Sequence, residues 1–131
     1  MKLLIFLFAI FVLVAADWKP RSREQYNKDG DECFKSENIS ERAIHGIRKH
    51  VFTDESKCFF RCVLMKNNVW DDTTGCNVER VYKEVTHIGL KASKDGLTQC
   101  NSDDKKDKDP CQWVNNIVRC VFEHNYIEPN Y

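Results

Sequence analysis

The chain has 131 residues, 20 of them basic and 20 acidic, and seven are cysteine. So balanced a charge gives no electrostatic reason to bind nucleic acid or an anionic membrane surface. No apolar run approaches the roughly 20 residues that span a bilayer, which speaks against membrane insertion.

Met1-Lys2 followed by the apolar run Leu3 to Val14 has the make-up of a secretory signal peptide. Val14-Ala15-Ala16 supplies small or modest residues for cleavage, so the expected domains are a signal peptide, 1–16, and one secreted domain, 17–131. Removing 16 of the 131 residues leaves 115, with 19 basic and 20 acidic side chains. Seven cysteines in a secreted, extracellular chain of this size imply a disulfide framework with one thiol left over.

Asp17 to Ser22 reads as a loose lead-in. From Arg23 to Ser36, Tyr26, Gly30, Cys33 and Phe34 share one helical face. Asn38 or Ser40 caps a second helix carrying Ala43, Ile44, Ile47 and Val51. Asn38-Ile39-Ser40 is also the chain's one acceptor sequon, which makes Asn38 a glycosylation candidate beside its capping use.

Thr53-Asp54-Glu55 starts the helix around which the chain is organised, Lys57 to Met65. Its Cys58 and Cys62 lie one turn apart on the same face, so they can anchor two different parts of the chain. Phe59, Phe60, Val63, Leu64 and Met65 leave it apolar nearly all round, the mark of a buried central helix.

Lys66 to Gly75 is turn-rich. Asn77 then caps the clearest amphipathic helix, with Val78, Val81, Tyr82, Val85 and Ile88 on one face and Gly89 at its end. A shorter helical piece is expected over Leu90 to Cys100, broken or bent near Gly96. Asn101 to Asp109 is a charge run, and it lacks the glycine and terminal glutamate of a calcium-binding EF-hand loop. Asp109-Pro110 opens a last helix with Trp113, Val114, Ile117, Val118, Val121 and Phe122. No strand alternation is evident. The expected fold class is all-α, a compact disulfide-stapled bundle of about six helices around an apolar cavity.

Leaving out Cys76, the cysteines run Cys33-x24-Cys58-x3-Cys62-x37-Cys100-x10-Cys111-x8-Cys120. With the signal peptide and the helical pattern, this spacing resembles the insect odorant-binding proteins, the pheromone and general odorant carriers. The x3 and x8 spacings match that family's strictest ones, and the resemblance covers essentially the whole mature chain. Spacing alone leaves many connectivities open. The resemblance implies Cys33–Cys62, Cys58–Cys111 and Cys100–Cys120. Cys76 lies outside the pattern: a buried thiol, an intermolecular bridge or a ligand contact.

The resemblance further implies non-covalent carriage of a small apolar organic ligand, with no cofactor and no metal, as in the sense of smell. The alternative is the same fold in a seminal, salivary or other secretion, binding a protein partner or another small ligand. A receptor or a second copy of the chain is the candidate partner for its surface. Expected ligand-binding residues are Ser56, Phe60, Met65, Tyr82, Val85, Ile88, Ile117, Val121 and Phe122, with Ser56 and Tyr82 as hydrogen-bonding handles. Residues 121–131 could cover the pocket mouth through Tyr126, Ile127 and Tyr131, and among His45, His50, His87 and His124 the last is the candidate for a pH switch. Nothing argues for an enzyme: there is no adjacent His-Asp of a secreted phospholipase, and no third group orients a Cys76–His87 pair.

Overall fold

The computed structural model describes residues 18–129; the expected signal peptide, Asp17 and Tyr131 lie outside them. Six α-helices make up most of the described chain. Helix α1 (Arg23–Ser36) is capped by Ser22, whose hydroxyl accepts from the Gln25 N–H. Helix α2 (Glu41–Arg48) is capped by Ser40, which accepts from Ala43 N–H. Of the two cap candidates Ser40 therefore does the capping. Asn38 sits in the left-handed region at φ 52°, closing α1 with its N–H on the Lys35 carbonyl. It is exposed.

A 3-10 turn (Asp54–Ser56) leads into α3 (Lys57–Lys66). Ser56 donates to the Thr53 carbonyl and accepts from the Thr53 N–H, a reciprocal cap that spends the hydroxyl's one proton. Helix α4 (Val78–His87) is capped by Asn77, α5 (Lys94–Cys100) by Ser93 and α6 (Pro110–Glu123) by Asp109, with Pro110 in the first turn. A second 3-10 turn spans Asp103–Lys105 within the charge run.

Two short antiparallel pairs were not expected. Strands β1 (Trp70–Asp71) and β2 (Gly75–Cys76) form a hairpin in the turn-rich stretch. Gly75 is required there: its φ is +86°, and a Cβ would stand 2.8 Å from the Trp113 ring. Strand β3 (Leu90–Ala92) pairs with β4 (Ile127–Pro129), Leu90 opposite Pro129 and Ala92 opposite Ile127. Two- and three-residue strands are too short to show alternation, and the second pair joins segments far apart in the chain. Leu90–Ala92 is therefore strand rather than helix, and α5 starts only at Lys94. Gly96 does not break it. It lies inside the helix because the Tyr126 ring occupies the space a Cβ would need, 2.3 Å away.

Helices α3 and α6 pack most extensively against each other and form the middle of the molecule. One apolar cluster gathers Trp70, Leu97, Cys100, Trp113, Val114, Ile117 and Val121; another joins Cys33, Phe59 and Val63. Three disulfides, Cys33–Cys62, Cys58–Cys111 and Cys100–Cys120, tie α1 to α3, α3 to α6 and α5 to α6. This is the connectivity the resemblance implied. Helix α3 is less enclosed than its composition suggests, since Met65 is 43% exposed.

The lead-in is not loose. Trp18 donates its indole N–H to the Asn67 carbonyl and lies under the Arg80 guanidinium. Arg21 donates its backbone N–H to Glu84 on α4, reaches Asp29 on α1, and donates a guanidinium N–H to the Lys66 carbonyl. Helix α4 carries no bridged cysteine and barely touches α1 directly. Arg21 spans the two.

A candidate ligand-binding cavity

Between the helices lies a cavity of about 730 Å³, well inside the 300–1,000 Å³ range of small-molecule sites. Helix α4 presents Val78, Val81, Val85 and Ile88 to it, the stripe produced by its i, i+3, i+7, i+10 spacing. Helix α6 contributes Ile117, Val118, Val121 and Phe122, and α3 contributes Phe59, Phe60, Val63 and Leu64. Tyr26, Gly30 and Phe34 of α1 close one side, with Ile47 and Phe52 beside them. The wall is mainly aromatic and branched aliphatic.

The aromatic part of the wall is a connected stack. Phe34 lies flat on Phe59 with ring centroids 4.3 Å apart, and Phe59 meets Phe60 edge-on at 5.3 Å. Phe52 meets Phe60 at 4.9 Å and Phe122 at 5.3 Å, both edge to face. Rings in such pairs gain about 0.5–1.5 kcal/mol beyond burial, which keeps the surface of the cavity defined.

Six of the nine expected ligand residues stand on this wall: Phe60, Val85, Ile88, Ile117, Val121 and Phe122. Three do not. Ser56 is only 1% exposed and is committed to the capping box of the 3-10 turn before α3. Met65 points outward to solvent. Tyr82 is turned toward α5, where the Lys94 ammonium lies 5.8 Å from its ring centroid. Val78 and Val81 belong to the periodic stripe on α4 and were legible there. Tyr26 and Phe52 were not, because they reach the wall from separate elements; Ile127, expected at the pocket mouth, does reach the wall.

Cys76 is free and lies on the wall. Burial pushes its thiol up to about 12, so it stays protonated and behaves as a small apolar group. From the C-terminal segment Ile127, Glu128 and Pro129 reach the wall, held by pairing with β3. Tyr126 instead stacks on His124 and donates its hydroxyl to Gln99. His124 is exposed, its Nδ1 beside the Cys120 carbonyl; the histidine on the cavity wall is His50, 4.5 Å from Phe122 between ring centroids. Cys100, Cys120 and His124 come within 4.8 Å of one another, but both sulfurs are joined in a disulfide and offer no thiolate to a metal.

The PBP/GOBP family model matches residues 15–124, most of the chain and all six bridged cysteines. The protein belongs to this family. Its members are insect odorant-binding proteins, carriers rather than enzymes. The chain is 27% identical over 128 residues to odorant-binding protein 22 of Aedes aegypti, covering 95% of this chain and 92% of that one. It is 22% identical over 132 residues to general odorant-binding protein 99a of Drosophila melanogaster, again covering 95% and 92%. Both alignments take in nearly the whole of each chain. No helix among the described residues is long and apolar enough to cross a membrane.

Proposed function

We propose that this PBP/GOBP protein is a secreted, non-covalent carrier of one small apolar molecule, held in the 730 Å³ cavity. The cavity carries the reading: a domain this small keeps an apolar space of ligand size at its centre. Residues 1–16 direct its export, and odorant-like molecules carried in an aqueous secretion are the ligand class that family membership favours. The residues proposed to contact the ligand are Phe60, Val85, Ile88, Ile117, Val121 and Phe122 from the initial reading. Phe52, Phe59, Val63, Val78, Val81 and Val118 join them. Burying roughly ten methylene groups contributes about 8 kcal/mol, from which the cost of association must be subtracted. Micromolar binding, about −8 kcal/mol, therefore needs at least one placed polar contact in addition.

The test is titration of oxidised protein, residues 17–131, with an environment-sensitive apolar fluorophore. Saturable one-site binding, displaced by medium-chain alcohols or esters, is the expected result. A protein with all three bridges intact that neither binds the fluorophore nor is titrated by such ligands would overturn the carrier reading.

A further inference from the structure

Of the polar side chains on the cavity wall, Asn27, Asp31, Arg48, His50 and Glu128 are all exposed to solvent. Tyr26 differs. It is half-buried and lines the cavity. The hydroxyl makes no hydrogen bond among the described residues, and it is not one of the fully occluded unpartnered atoms. A buried tyrosine hydroxyl ordinarily finds a partner. Here the hydroxyl has none, on a residue of a mainly apolar wall.

The ground behind Tyr26 is acidic. Asp29 and Glu84 are each 3% exposed, and both are served by one arginine. The Arg21 guanidinium stands 3.6 Å from Asp29 Oδ2, and the Arg21 backbone N–H donates to Glu84 Oε2 at 2.8 Å. Gln25 donates to Asp29 Oδ1, while Glu84 Oε1 has no partner. Burial, then Glu84, then Asp29 hold the Tyr26 phenol above its usual value, so it stays a neutral hydroxyl.

We propose that Tyr26 is the polar anchor of the cavity and selects an apolar ligand bearing one uncharged hydrogen-bonding group, an alcohol over a carboxylate. This deepens the carrier reading and rests on it. An alcohol both donates and accepts, so it satisfies the phenol whichever way the O–H turns. An alkyl chain alone leaves the phenol unmet. A carboxylate beside Tyr26 would lose its hydration next to two buried carboxylates whose neighbouring guanidinium is already engaged by Asp29; the Arg48 guanidinium, also on the wall, is exposed to solvent.

The experiment is displacement of the fluorophore at pH 7 by decanol, chlorodecane and decanoate, from the unaltered protein and from Tyr26→Phe. The phenylalanine variant should bind decanol about three- to tenfold more weakly, the loss of one uncharged hydrogen bond, and chlorodecane with unchanged affinity. Unchanged chlorodecane binding also shows that the variant is folded. Decanoate should be the weakest of the three on the unaltered protein. Equal effects on decanol and chlorodecane, with the fluorophore still bound, would overturn the anchor and leave the carrier reading standing. Decanoate binding tightest and weakening in Arg48→Ala, but not in Tyr26→Phe, would place the head group at the exposed rim and equally overturn it. Failure of the fluorophore to bind the unaltered protein removes both readings.

Discussion

Cys76 and Glu84 show how enclosure alters the chemistry of single side chains. With the Cys76 thiol pushed from 9.0 to about 12, its thiolate fraction at pH 8 is about a thousandfold below that of a free cysteine. A water-soluble disulfide reagent should therefore react with it only slowly in the folded protein and at the ordinary rate in denaturant; equal rates would show that the wall opens readily. Burial likewise raises the Glu84 carboxyl above 4.5, outweighing its bond to Arg21. The folded state thus holds a proton there that the unfolded chain has already lost, and the associated stability disappears as pH rises through the folded value. Surface carboxyls paired with cations, such as Asp72 with Arg61 and Asp109 with Lys57, are held below their usual values and act in the opposite sense, on acidification. Melting temperatures taken upward from pH 5 should fall less for Glu84→Gln than for the unaltered protein. Parallel curves would mean that Glu84 carries no buried charge.

At the scale of elements, α4 depends on polar contacts where its neighbours have disulfides. Arg21→Ala would leave Asp29 buried without its cation and the Lys66 carbonyl without its donor, while the backbone N–H to Glu84 stays. Because the arginine side chain is 32% exposed, the expected cost is about 2 kcal/mol, below that of breaking a fully buried pair. Urea unfolding measures it, and a loss under about 0.5 kcal/mol, the size expected at an ordinary surface site, would make the strap incidental. The β3–β4 pair is locked from behind by Tyr126 on Gly96. Gly96→Ala should push that ring out and destabilise the protein by about 1–3 kcal/mol, the usual penalty of overpacking, although alanine is the better helix former. A stabilised variant would show that the ring moves freely.

The whole molecule keeps a cavity because crosslinks substitute for filled core. Three disulfides at about 2–4 kcal/mol each are comparable to the entire stability of a typical domain, about 5–15 kcal/mol. Reduction at neutral pH should abolish fluorophore binding together with cooperative unfolding. Retention of binding after complete reduction would mean that apolar packing alone maintains the cavity.

Local pattern was sufficient for much of this architecture. The capping residues Ser40, Asn77 and Asp109, the α4 stripe, the Asp109-Pro110 helix start and the cysteine ranks were all legible, since each is a property of residues near one another in the chain. The β1–β2 hairpin was not, because two-residue strands are too short to show alternation, and neither the β3–β4 pair nor the docking of Trp18 and Arg21 was, because their partners lie far away in sequence. The cavity shows the same division. Periodicity marked Val85 and Ile88 as inward-facing, but the difference between an inward face that meets a cavity and one that meets core is the distance between helices. Local pattern therefore determined a bridged helical domain with apolar inner faces. Tertiary packing alone decided that Ser56 is spent on a helix cap, that Tyr82 turns aside, and that Tyr26 keeps an unmet hydroxyl: hydrogen bonds in an interior are allotted by three-dimensional proximity.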